Sequence, residues 1–337
     1  MSNLSTSPET TGRLGSIKIR TLSFKTPRKL YALHRFLFRL TNGRWNDTVH
    51  SVLKVVNGRY PEIEPKTSQF KYNPVAVAKV VETLDRDGFC ILEQKLSDDT
   101  VERLLSFSQK TPVKCVLPGD YGQAGSQFAN EDILIADAKN RSARCLHDTA
   151  DILKNSEVQS LALDPLLLNI AQDYLDVKPL LSSVVMWWSL PVEDKEKFAG
   201  AAAQEYHFDM DRLKFFNFFI YLTDVDTNNG PHCYVRGSHK KLPPQFRRRG
   251  RFSDKDVKAH YGHDVLELTG KKGTIMAVDT RGLHKGKVLT EGSRLIMQIG
   301  FADSLFGEYY PRVAFQNLSE ERQKFASDHF ESYFNFL

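Results

Sequence analysis

Tyr206-His207-Phe208-Asp209-Met210-Asp211-Arg212-Leu213-Lys214-Phe215-Phe216-Asn217-Phe218-Phe219-Ile220-Tyr221-Leu222 is the stretch on which the reading of this chain turns. Its second half, Lys214 to Leu222, is an aromatic run of strand length. Its first half sets a histidine and a carboxylate two residues apart, and on extended backbone such a pair points to one face. A second histidine from another strand would complete two imidazoles and one carboxylate on one side of a metal. That facial set leaves positions open and suits non-haem iron(II). Three residues alone match too readily, so the surroundings decide.

Downstream and upstream of this stretch the pattern is that of short strands. Leu180–Leu190, Gly262–Leu268, Gly273–Val278 and Arg294–Phe301 read as strands, punctuated at Asn228-Asn229-Gly230, Gly237, Gly270 and Gly286. Such spacing predicts a mainly β fold with flanking α: a double-stranded β-helix, the jelly-roll or cupin-like core. N-terminal helices and a C-terminal helix over Leu318–Phe336 complete it. Asn73-Pro74 opens a helix that ends near Asp87-Gly88, the strand Gly88–Leu92 follows, and Ser97-Asp98-Asp99 caps a helix over 98–109. Asp164-Pro165 starts another, to Leu175. Residues 111–160 show no decisive period.

In a jelly roll, ligands on separate strands converge inside one mouth of the barrel. His284 lies 75 residues beyond Asp209, too far for a single helix or hairpin but suited to strands meeting across a sandwich. His207, Asp209 and His284 are therefore the candidate metal ligands and catalytic centre. Each has a plainer account: a loop histidine, a turn-forming aspartate, a histidine capping the turn Asp279-Thr280-Arg281-Gly282. Arg294 follows His284 by ten residues on the next strand. There it can face the same cavity and grip a carboxylate bidentately, as lysine cannot. Asn217 shares a strand face with Phe215, Phe219 and Tyr221; a polar group among Phe residues calls for a ligand, or for partners within the protein. Trp188 is a candidate wall of a substrate pocket, with a core role as the alternative.

Together these segments resemble the phytanoyl-CoA dioxygenase family of iron(II)/2-oxoglutarate oxygenases. The resemblance spans Lys79 to Phe306. It rests on Asp87-Gly88-Phe89, on His207-Phe208-Asp209, on Asp226-Thr227-Asn228-Asn229-Gly230-Pro231 running to Arg236-Gly237-Ser238-His239-Lys240, and on Gly273-Thr274-Ile275 leading to Asp279-Thr280-Arg281-Gly282-Leu283-His284-Lys285-Gly286, with Arg294 behind. Arg236 departs from the Pro usual before Gly-Ser-His. The resemblance implies Fe(II) on His207, Asp209 and His284, 2-oxoglutarate on Arg294, and O2 as oxidant. Halogenating relatives replace the carboxylate of the triad by a small residue, so Asp209 implies hydroxylation of an unactivated C–H bond with release of succinate and CO2.

Charge suggests the substrate class. Net charge is +5, yet residues 1–60 alone carry eleven Lys/Arg against Glu9 and Asp47, so the rest is acidic on balance. Two units are expected: 1–60, a basic tail and amphipathic helix, and 61–337, the jelly-roll oxygenase domain. In the helix from Pro27, Leu30, Leu33, Phe36, Leu37 and Leu40 share one face between basic residues. Residues 27–40 would then meet an anionic membrane, or pack on the main domain with a solvated basic back. Arg247, Arg248 and Arg249, in a segment expected as a loop at the barrel mouth, suit an anionic substrate, or are simply solvated. Both features fit a small-molecule or lipid- or glycan-linked anion, for example an acidic sugar such as the Kdo of lipopolysaccharide. No recognition helix or aromatic-interleaved basic strand points to nucleic acid. Four cysteines without a C-x-x-C pair, no signal peptide and no spanning segment lead to the expectation of a cytoplasmic protein, peripheral at the inner face of a membrane at most. The alternative from another class is an inactive barrel that docks on membranes or binds a ligand. A zinc hydrolase leaves Arg294 without a role.

Overall fold

Local signals set the helix ends that frame the barrel. The computed structural model describes residues 26–61, 63–119, 127–200, 202–247, 250–308, 314–329 and 335–336. Residues 1–25 of the expected basic tail lie outside them. Two helices come first, α1 (Arg28–Thr41) and α2 (Arg44–Asn57), and the sequence reading had only the first. In α3 (Pro74–Asp87) the Asn73 side chain accepts from the Val75 and Ala76 N–H groups and Pro74 fills the first helical position. Gly88 closes that helix at φ 86°, and a Cβ there would sit 2.3 Å from the Tyr234 hydroxyl, so both conformation and space demand glycine.

Strand β1 (Phe89–Lys95) follows, then α4 (Asp98–Lys110) with Ser97 as its N-cap. The stretch without a clear period holds β2 (Val113–Cys115), β3 (Arg144–His147), α5 (Thr149–Ile152) and α6 (Ser156–Ala162). After α7 (Pro165–Leu175) come β4 (Leu180–Ser189), α8 (Lys195–Ala199), β5 (Phe215–Tyr221) and β6 (His232–Val235). The expected loop after His239 contains a helix, α9 (Asp254–Tyr261), and the strand expected from Gly262 begins at β7 (Val265–Leu268). Then β8 (Thr274–Val278), β9 (His284–Gly286) and β10 (Arg294–Ala302) close the barrel, and α10 (Glu320–His329) occupies part of the expected C-terminal helix.

The strands form an antiparallel seven-stranded sheet in the order β1-β8-β5-β10-β4-β3-β2, faced by a smaller sheet β7-β6-β9. Backbone bridges from His207 to His284 and from Tyr206 to Phe252 extend the smaller sheet beyond β9. Period-2 alternation divides the large sheet cleanly. Phe216, Phe218 and Ile220 of β5 with Leu295, Met297 and Ile299 of β10 pack under the helices in the main core. Phe219 and Tyr221 with Ile296 and Trp187 face inward, between the sheets. The dispersed cysteines include one pair that the sheet brings together: Cys115 and Cys145 are cross-strand neighbours, their sulfurs 2.8 Å apart.

Candidate active site

The sequence separation between the two histidines disappears through strand pairing. The His207 N–H donates to the His284 carbonyl at 3.0 Å and the His284 N–H donates back at 2.9 Å, so the two residues stand directly opposite each other. Their rings lie 4.4 Å apart, centroid to centroid. Two residues on, the Asp209 N–H donates to the Thr280 carbonyl at 2.8 Å, holding the carboxylate on the same side. One ligand atom from each of His207, Asp209 and His284 lies within 4.8 Å of the others, and among the described residues no other group of three or more has this geometry.

Hydrogen bonding fixes the tautomers. A carbonyl oxygen only accepts, so His207 Nδ1 donates to Glu205 at 2.8 Å and His284 Nδ1 to Gly282 at 2.9 Å. Both Nε2 lone pairs then face the Asp209 carboxylate, at 3.8 and 3.6 Å. These gaps are too long for hydrogen bonds and leave room for a cation between three ligands. Burial keeps the imidazoles neutral, His207 well below its ordinary value and His284 down at about 4. Burial also pushes Asp209 up to about 6, against the Thr280 hydroxyl and the charges of Arg251 and Arg144. Two neutral imidazoles and one carboxylate form a donor set that fits a divalent cation.

A buried ion pair locks the turn that delivers His284. Arg281 donates through Nε to both Asp279 carboxylate oxygens at 3.1 Å and through its terminal nitrogen at 2.8 Å. Tyr174 donates its hydroxyl to the same carboxylate at 2.6 Å, and Tyr234 donates to the Asp279 carbonyl at 2.8 Å. Burial raises Asp279, but the Arg281 charge and hydrogen bonds outweigh it and bring the carboxyl down to about 2. The tetrapeptide is visible in the sequence; its ion pair is not.

A cavity of about 340 Å³ opens over the triad, bounded by Trp187, Asn217, Phe219, His232, Arg294 and Gln298 among others. Arg294 is 5% exposed, donates to Ser189 Oγ at 2.9 Å and to the Gly230 carbonyl, and has no carboxylate in ion-pair range among the described residues. Its guanidinium lies against Gly286, where an added Cβ would stand 3.4 Å from it. Gly286 is two residues after His284, one pleat or about 7 Å along β9. A buried cation this close to three metal-type ligands, with only neutral partners among the described residues, can receive an anion.

A model of the phytanoyl-CoA dioxygenase family matches residues 84–296. The chain belongs to that family. This member is accordingly a dioxygenase-type enzyme that works with iron(II), 2-oxoglutarate and O2. No curated protein sequence gives a match. Among solved structures, it is similar to the non-haem α-ketoglutarate-dependent epimerase SnoN from nogalamycin biosynthesis, with a TM-score of 0.51 and 17% identity over 68% of this chain and 84% of that one. The carbocyclase SnoK from the same biosynthesis gives 0.48 and 16% over 68% and 87%. EctD from S. alaskensis, solved with 2-oxoglutarate and 5-hydroxyectoine, gives 0.47 and 18% over 72% and 82%. The likeness to SnoN agrees with the jelly-roll core.

Within this dioxygenase the other expected site residues fare unevenly. Asn217 lines the cavity, but it needs no ligand to satisfy it: it donates to Thr280 Oγ1 at 3.1 Å and accepts from Gln298 at 3.0 Å. Trp188 does not face the cavity. It belongs to the main core, and its neighbour Trp187 lines the site, because alternate residues of β4 point to opposite faces. Arg247 is not among the lining residues; its Nε donates to the Leu242 carbonyl at 2.8 Å. Arg248 and Arg249 lie outside the described residues. Two further cations besides Arg294 lie near the triad, Arg144, whose guanidinium stacks 4.5 Å from the centre of the Trp187 ring, and Arg251. Among the described residues no helix is long and apolar enough to cross a membrane.

Proposed function

We propose that this dioxygenase hydroxylates an unactivated C–H bond of an anionic substrate, with His207, Asp209 and His284 holding iron(II) and Arg294 holding the distal carboxylate of 2-oxoglutarate. The observation that carries the reading is the unpaired buried guanidinium of Arg294 in the cavity of a three-ligand cluster. Bound there, iron and 2-oxoglutarate supply the oxidising power, with succinate and CO2 as co-products. The protein's own part is orientation and exclusion of water. The Asp279–Arg281 pair holds the turn before His284, Asn217 braces Thr280, and Thr280 in turn holds the Asp209 backbone. Asp209 would supply the third protein ligand and leave no vacancy for a halide, which favours hydroxylation over halogenation as the proposed reaction.

A cation at the cavity wall supports the anionic substrate. Arg144 lines the cavity, stacked on the indole of Trp187. Guanidinium groups match planar carboxylates and phosphates, and the Trp187 face offers an apolar surface to a ring. An acidic sugar, free or lipid-linked, of which Kdo is one example, has both features. The test is coupled succinate release from protein loaded anaerobically with iron(II) and 2-oxoglutarate, then given O2 and a panel of acidic, neutral and basic sugars. Acidic sugars should accelerate release, and Asp209→Ala should abolish it with the fold intact. Unchanged release in Asp209→Ala, or acceleration by the neutral or basic members alone, contradicts the proposal.

A further inference from the structure

The two N-terminal helices each leave a set of apolar residues exposed. Leu30, Leu33, Phe36 and Leu40 of α1 are 47–63% exposed, and Trp45, Val52, Val55 and Val56 of α2 are 38–86% exposed. These eight make up most of the thirteen exposed large apolar residues found among the described residues, concentrated in one helical hairpin. The exposure does not come from poor attachment. The opposite faces are fastened to the barrel: Phe38 stacks on Phe208 at 5.8 Å, Asn46 donates to the Leu213 carbonyl at 2.7 Å, and His50 meets Asp303 at 2.8 Å. Leu30, Leu33 and Leu37 on one side and Trp45 and Val49 on the other form the walls of an open groove of about 160 Å³. Contiguous apolar surface of this kind marks an interaction face.

Charge identifies the occupant. Residues 27–57 carry Arg28, Lys29, Arg35, Arg39, Arg44 and Lys54 against the single carboxylate of Asp47. Arg28, Lys29 and Arg44 stand exposed beside the apolar stripes. A second copy of this face would bring like charges together, whereas an anionic lipid surface takes up leucine, phenylalanine and tryptophan and neutralises the basic rim. We propose that the α1–α2 hairpin is a peripheral docking surface for an anionic lipid bilayer. The hairpin also grips the segment bearing His207 and Asp209, through Phe208, the Met210 carbonyl and Leu213. Docking therefore places that segment about one helix diameter, roughly 10 Å, from the lipid surface. The proposal stands apart from the reaction and its substrate.

The test is co-sedimentation of the full chain with vesicles of phosphatidylglycerol and phosphatidylcholine in equal parts, against phosphatidylcholine alone. Binding to the anionic vesicles only, weakening as salt rises, is the expected result. Replacing Arg28, Lys29 and Arg44 by Gln together should lower affinity about a hundredfold, each basic residue being worth about fivefold. Leu33→Asp with Val52→Asp should abolish pelleting while the melting temperature stays unchanged. The proposal is overturned if wild-type protein ignores anionic vesicles, or if neither variant alters binding. It is equally overturned if the apolar variant dissolves a protein dimer that never binds lipid.

Discussion

Two buried arginines of this fold have opposite surroundings. Arg281 is clamped to Asp279, with Asp47 3.5 Å away and the Tyr174 hydroxyl on the same carboxylate. Arg294 has a carbonyl and a hydroxyl for company and no carboxylate among the described residues. The first has the form of a finished structural lock, the second of a socket awaiting its counter-ion. Arg281 lies in the turn between β8 and β9 and Arg294 opens β10, and burial alone does not tell them apart. What separates them is whether the charge is already answered.

The largest effect expected from this contrast is on stability. Arg281→Met strands a buried carboxylate and should cost about 3–5 kcal/mol in a denaturant titration. Arg294→Met removes an uncompensated charge and should leave the apo-protein's stability unchanged or slightly raised. Equal losses in the two variants would erase the distinction. Next in size is acid sensitivity. Asp279 has a folded value of about 2, below the ordinary 3.8. Its contribution is therefore complete above about pH 4 and is lost as pH falls toward 2, a loss of about 2 kcal/mol. Thermal melts across that window should show the decline, and Arg281→Lys, which keeps a charge but not the fork, should shrink it.

The smallest effect concerns Trp187 and Trp188. Trp187→Leu should raise the substrate KM several-fold, and Trp188→Leu should lower the melting temperature with KM unchanged. Steady-state kinetics beside a melting curve on each variant decides it.

The same contrast explains what the sequence could and could not reveal. His207, Asp209, His284 and Arg294 were legible because strand alternation and flanking turns constrain them locally, and the structure brings them to one cavity. Asn217 was placed on the inward face by the same alternation, but its partners, Thr280 and Gln298, come from other strands and only pairing reveals them. Trp187 and Trp188 cannot be told apart in the sequence because two adjacent tryptophans give no parity; the cross-strand partners of β4 set it. Arg144 was invisible because β3 is only four residues long, in a stretch without period. α2 was missed even though its buried Asn46, His50 and Leu53 keep helical spacing, since two of the three are polar. The family resemblance marked the ligands and was silent on the ion pair behind them.

The most direct test is a calorimetric titration of 2-oxoglutarate into anaerobic, iron(II)-loaded wild-type protein and Arg294→Met. The unpaired guanidinium predicts saturable binding in the wild type and an affinity loss of about thirtyfold or more in the variant, as expected when a buried charge loses its partner. Identical titrations for the two proteins would contradict the account.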